Sequence, residues 1–216
     1  MIQLHHHPSS AAMVPHILLE ELGVPYERVP VDRANGGHRR PEYLRLNPNG
    51  LIPVLVDGDL VLYETAAITL HLADRHPQAR LAPAFGTDAR SHFYKWLVWL
   101  TNTLQATLIV YFYPERWVDE GDAQAAAALK RHAQRRVGPM LDQLDAELAR
   151  HGGPWFFGAE YSALDAYVFT LCRWTRLFDE GRARDRPHLG PYLQRMLQRP
   201  AVQRVLRNEQ LQPPYV

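Results

Sequence analysis

The feature that most constrains this chain is a change of hydrophobic period near Pro77. Before it, short runs alternate between extended and helical spacing. After it, only the three-to-four-residue recurrence of helices remains. Residues 1–5 read as a strand and 12–22 as a helix, with Pro15 tolerated in its first turn and Gly23 as a C-terminal stop. A second strand is expected over 26–31 and a short helix or turn over 41–46. The apolar runs 54–56 and 60–63 flank Asp57-Gly58-Asp59, the signal of a hairpin. Residues 65–75 form a helix whose apolar side carries Ala66, Ile68, Leu70, Leu72 and Ala73. The order β-α-β, then α, then β-β-α predicts a mixed sheet with helices on both faces.

The second half repeats one theme. Phe93, Trp96, Leu97, Leu100, Leu104 and Leu108 share one helical face, and Leu129, Ala133, Val137, Leu141, Leu144 and Leu148 another. Leu164, Val168, Leu171, Thr175 and Phe178 mark a third helix, Leu189, Leu193, Met196 and Leu197 a fourth, and residues 202–206 a short fifth. This is a helical bundle. The expected domains are an α/β domain over 1–78 and an all-α domain over 86–216.

A net charge of +1 gives no basic groove for nucleic acid, and no apolar run approaches membrane-spanning length. The single cysteine, Cys172, cannot form an intramolecular disulfide, and the N-terminus lacks the pattern of a signal peptide. A cytoplasmic location is expected.

Two blocks define the chemistry: Asn47-Pro48-Asn49-Gly50-Leu51-Ile52-Pro53-Val54-Leu55 and Leu62-Tyr63-Glu64-Thr65-Ala66-Ala67-Ile68. Together with a distant Ser162-Ala163-Leu164-Asp165, they resemble the cytosolic glutathione transferase family across both halves of the chain. The resemblance implies a thioredoxin-like N-terminal domain that binds glutathione, and a helical C-terminal domain. It implies a cis Ile52-Pro53 bond, leaving the Ile52 backbone free to pair with the cysteinyl residue of glutathione like an added strand. Read from the residues alone, Pro53 serves equally as the first residue of a strand. Thr65 suits an N-cap, and a helix N-terminus attracts a carboxylate, while Glu64 suits the γ-glutamyl ammonium. An ordinary capped helix accounts for Thr65 but not for Glu64. Ser162 and Asp165 read as a capping box with no catalytic role.

The thiol site is expected in the turn after the first strand, within His5-His6-His7-Pro8-Ser9-Ser10-Ala11-Ala12. A thiol is mostly protonated at neutral pH, so a hydrogen-bond donor must favour the anion. Pro15-His16-Ile17 and Ala166-Tyr167-Val168-Phe169 resemble the bacterial beta class, whose cysteine falls on Ala11 here. Alignment on Pro8 puts the serine of the delta and theta classes on Ser10. Ser10 is therefore the expected thiolate donor and Ser9 the alternative; both equally suit a helix cap. Three successive histidines cannot converge from one strand, so no metal is expected. His6 lies near a position where other classes carry an aromatic that lines the site. The resemblance puts His38 and Arg39, with Arg40 equally suited, near the glycyl carboxylate, in a basic loop that also reads as plain solvated surface. Tyr111 and Trp117 are expected to contact a second, hydrophobic substrate, although aromatics at helical spacing more often belong to a core.

The resemblance implies transfer of the glutathione thiolate to a small hydrophobic electrophile, a detoxification chemistry, in a homodimer. Disulfide or peroxide reduction, isomerisation, and non-catalytic ligand binding are the competing readings on the same scaffold.

Overall fold

A computed structural model describes residues 1–216. The chain runs β1 (Ile2–His6), α1 (Met13–Leu22), β2 (Tyr26–Pro30), α2 (Pro41–Leu44), β3 (Val54–Asp57), β4 (Leu60–Tyr63) and α3 (Thr65–Arg75). It continues through α4 (Asp88–Trp99), α5 (Ala106–Phe112), α6 (Ala123–His151), α7 (Ala163–Trp174), α8 (Leu189–Gln198) and α9 (Pro200–Asn208). Two compact units result: Met1–Ala82 with Leu197–Pro213, and Pro83–Met196 with Pro214–Val216. The last helix thus packs with the first unit, where boundaries drawn along the chain would leave it in the second.

In the first unit the strand order is β2-β1-β3-β4. β1 runs parallel to β2 and antiparallel to β3, and β3 and β4 form a hairpin through Gly58, whose φ of 63° suits glycine. The strand alternation assigns the two faces. Ile2, Leu4 and His6 are buried on one side, where α1 packs together with α3 and α9. That helix is buried from Met13 to Leu19, which explains why its sequence is apolar nearly all round. On the other face Val31, Tyr43 and Val54 form a cluster with Leu46, Ile52, Val56 and Tyr63.

Register determines where the loops emerge. His5 pairs with Val54, and Val54 with Tyr63; His6 pairs with Pro30 in the parallel direction. The C-terminal ends of β1, β2 and β4 and the N-terminal end of β3 therefore share one end of the sheet. Four segments leave there: residues 7–12, 31–40, 47–53 and 64–65.

The second unit is helical. Phe93, Trp96, Leu97, Leu100, Leu104 and Leu108 are all buried, as their spacing predicts. Between α4 and α5 the residues Leu100–Gln105 widen into a π-helical segment. There Gln105 Oε1 accepts the Tyr167 hydroxyl at 2.6 Å and Thr101 Oγ1 lies 3.2 Å from it. Every residue of α7 is buried, which makes it the axis of this bundle. Its start is closed by the predicted box: Asp165 accepts the N–H groups of Ser162 and Phe156, each at 2.8 Å, and the Tyr192 hydroxyl at 3.0 Å. Burial pushes Asp165 up to about 6, against the pull of those donors. No helix is long and apolar enough to cross a membrane.

Candidate functional site

The 47–53 segment is braced from within. Asn47, 2% exposed, donates through Nδ2 to the Leu51 carbonyl at 2.8 Å, and the Tyr43 hydroxyl donates to the same oxygen at 2.8 Å. Asn47 Oδ1 accepts the Asn49 N–H at 3.0 Å, and its carbonyl accepts the Gly50 N–H at 2.9 Å. Gly50 has φ 61°, and a Cβ there would stand 3.0 Å from the His38 carbonyl oxygen, so the position admits no ordinary side chain. These contacts fix Leu51, and the next peptide bond, Ile52-Pro53, is cis. Ile52 lies outside the β1–β3 ladder, whose last pair is His5 with Val54.

At the hairpin's other strand, Tyr63 leads directly into Glu64 and α3. The structure corrects one detail: Thr65 is the first helical residue and Glu64 occupies the capping position, with φ 71° and no side-chain cap. Thr65 is buried and its carbonyl accepts the Thr69 hydroxyl at 2.8 Å. Because the first bond of the helix is Ile68 N–H to Glu64 C=O, the N–H groups of Thr65, Ala66 and Ala67 point out of the helix end. The Glu64 carboxylate is exposed beside them. An uncapped helix start with an adjacent acid can receive a carboxylate and an ammonium together.

Residues 7–12 form the third element. The Ser10 hydroxyl donates to the His7 carbonyl at 2.6 Å and accepts the Ala12 N–H at 3.2 Å. It therefore shapes the turn into α1, and its single proton is engaged. The Ala11 N–H has no acceptor within the chain and lies just before α1. Ser9 adopts φ 61°, and its N–H donates to Glu209 Oε2 at 2.8 Å.

The histidines separate as strand geometry requires. His5 stands edge-on to Tyr43, with ring centroids 6.0 Å apart, and burial lowers its pKa. His6 turns to the opposite face, 5% exposed and 6.0 Å from the His16 ring; burial holds it at about 4. Its place in the core corrects the expectation that it lines the site. No three His, Cys, Asp or Glu side chains gather as a metal site. His38 lies in the short turn Gly37–Arg39, and Arg39 is exposed. In the second unit Tyr111 joins Phe112 and Phe178 at 5.1 and 4.5 Å, whereas Trp117 stands apart at 61% exposure. Trp96 is core: its ring meets Trp99 and Phe156, and its N–H donates to Glu147 at 3.2 Å. Cys172 is buried and burial pushes its thiol up, so it offers no nucleophile.

Sequence reasoning missed Tyr43 as a brace, the Ala11 N–H, and the pair His16–Glu209. Only Tyr43 left a local signal, an aromatic four residues before the Asn47 turn.

A four-stranded mixed sheet presenting these turns at one end, followed by a helical unit, is the thioredoxin-like plus helical architecture of glutathione transferases. The domain pattern "Glutathione S-transferase, N-terminal domain" matches residues 1–74, and "Glutathione S-transferase, C-terminal domain" matches residues 115–195. Maize "Glutathione S-transferase 3" is 34% identical over 203 residues, covering 91% of this chain and 89% of its own length. "Glutathione S-transferase GstB" of Escherichia coli K12 is 34% identical over 197 residues, covering 88% of this chain and 89% of its own. The crystal structure of a glutathione transferase homolog from Sulfitobacter with bound glutathione superposes with a TM-score of 0.88 at 26% identity, covering 98% of this chain and 99% of the other. The chain belongs to the glutathione S-transferase family.

Proposed function

We propose that this protein binds glutathione at the shared end of the sheet and activates its thiol for attack on a small apolar electrophile. The observation that carries the reading is the register His5–Val54–Tyr63, which delivers the braced Ile52-Pro53 turn and the open start of α3 to one place. On this reading the Ile52 backbone, ahead of Pro53, pairs with the cysteinyl residue of glutathione. The N–H groups at Thr65 take the γ-glutamyl carboxylate and Glu64 its ammonium. His38 and Arg39 serve the glycyl carboxylate.

The thiol lies over residues 9–11. Ser10 is the proposed donor to the thiolate, exchanging its bond to the His7 carbonyl for one to sulfur. Ala11 N–H, at the positive end of α1, adds a donor that gives up nothing. Ser9 is the alternative. The thiol proton passes to solvent, the C–S bond forms, and the leaving group departs with its electron pair. Catalysis then rests on orientation and thiolate stabilisation. Tyr111 and Trp117 are proposed contacts of the apolar substrate, and the working form is proposed to be a cytoplasmic homodimer. The bound glutathione of the Sulfitobacter homolog supports the assignment of the ligand.

Calorimetric titration with glutathione, followed by thiolate absorbance of the bound ligand, tests this. The wild type is expected to bind and to show thiolate at neutral pH. Ser10→Ala is expected to bind and to lose much of that signal. Absence of binding in the wild type would overturn the proposal.

A further inference from the structure

The thiol turn is held by a residue nearly two hundred positions away. Glu209 follows α9 and is 5% exposed. One carboxylate oxygen accepts the Ser9 N–H at 2.8 Å, and the other lies 2.8 Å from His16 Nδ1. Both the His16 and Glu209 side chains are fully buried. A carboxylate only accepts, so this His16 nitrogen carries its hydrogen. The helix bearing Glu209 is itself fastened. Arg199 grips Glu21 through two bonds of 2.6 and 2.8 Å, and Arg204 pairs with Glu20, which also accepts the Tyr26 hydroxyl.

Ser9 needs this hold. Its φ of 61° lies in the left-handed region, which an L-residue occupies only when its surroundings impose it. The Glu209 bond acts on the very peptide that begins this conformation, one residue before Ser10 and two before Ala11. We propose that Glu209 is a positioning residue: from the end of α9 it sets the backbone of the thiol turn, and through it the direction of the donors that face sulfur. The inference rests on glutathione occupying that turn.

Thiol titration of bound glutathione in Glu209→Ala, Glu209→Asp and Glu209→Gln tests it, because position and charge act with opposite signs. Loss of positioning weakens the donors and raises the thiol pKa. Loss of a negative charge alone lowers it. Glu209→Ala is expected to raise the thiol pKa by about one unit, which is about tenfold less thiolate at pH values well below the pKa. Its glutathione dissociation constant should stay within about threefold of wild type, since the Ile52 and Thr65 contacts are untouched. Glutamine can accept the Ser9 N–H while donating to the other His16 tautomer, so Glu209→Gln should recover most of the loss. Aspartate keeps the charge but is one methylene too short to span both partners, so Glu209→Asp should shift upward. If Glu209→Ala does not fold, the contrast between the aspartate and glutamine variants carries the test. A lowered thiol pKa in the alanine and glutamine variants overturns the inference in favour of charge. Unchanged titration in all folded variants, with glutathione bound, overturns it in favour of packing alone. A wild type that binds no glutathione instead overturns the ligand assignment on which the inference stands.

Discussion

Two helices in this chain begin with a hydroxyl residue and an acid, and they end up opposite in character. At α7, Ser162 and Asp165 turn inward, and the carboxylate collects two N–H groups and the Tyr192 hydroxyl in a fully buried box. At α3, Glu64 and Thr65 leave three N–H groups pointing outward with the acid exposed. The same residue types serve closure in one case and reception in the other. What separates them is spacing. An acid three residues after the cap can fold back on it; an acid before the first helical residue cannot, and remains available.

The strongest test of that contrast is Asp165→Ala. It strands the buried N–H groups of Ser162 and Phe156, while the Tyr192 hydroxyl keeps the Asp165 carbonyl at 3.2 Å, and about 4 kcal/mol of stability should go, read as a lowered denaturant midpoint. Molecules that remain folded should bind glutathione with unchanged affinity; a loss of affinity in them would break the distinction between a closing and a receiving start.

Next is the face beneath the open end. His6 is held at about 4 by burial, below its ordinary 6.5. The unfolded chain therefore binds more protons between those values. The stability owed to neutral His6 is complete above pH 6.5 and is lost as pH falls to 4, as much as about 3 kcal/mol. In His6→Gln this share of the acid slope should disappear, so stability should fall less steeply between pH 6.5 and 4 than in the wild type.

Glu64→Gln probes the open start itself. It should weaken glutathione about tenfold to thirtyfold, near 2 kcal/mol, with no change of melting temperature because the side chain is exposed. A variant that melted early but bound normally would reverse the reading of α3. The smallest effect is expected from Ser10→Ala. A fall in kcat/KM of about fivefold to tenfold should follow, since the Ala11 N–H persists.

Much of the fold was legible because its signals are local. The hairpin turn at Gly58, the helix over 65–75 and the buried stripe from Phe93 to Leu108 each follow from neighbours within a few residues. The Asn47–Pro53 turn was legible for the same reason: Asn47 bonds to Asn49, Gly50 and Leu51, all within reach of one motif. Glu209 was not. Its partners are separated from it by 193 and 200 residues, and nothing around it repeats or caps in a way that points to His16. The engaged proton of Ser10 was invisible too, because a carbonyl three residues back becomes its acceptor only once the turn has closed. The π-helical stretch after α4 was hidden by a periodicity that does not distinguish it from ordinary helix.

The place of α9 also bears on how the protein is made. Its first unit includes Leu197–Pro213, which a ribosome delivers only after residues 83–196 of the other unit. At about 5–20 residues per second, the sheet and its early helices wait many seconds with the α9-facing side of α1 uncovered. Completion of the thiol end therefore waits on synthesis of residues 83–196, and a fragment carrying residues 1–82 alone would present that uncovered surface to chaperones and proteases rather than a finished site.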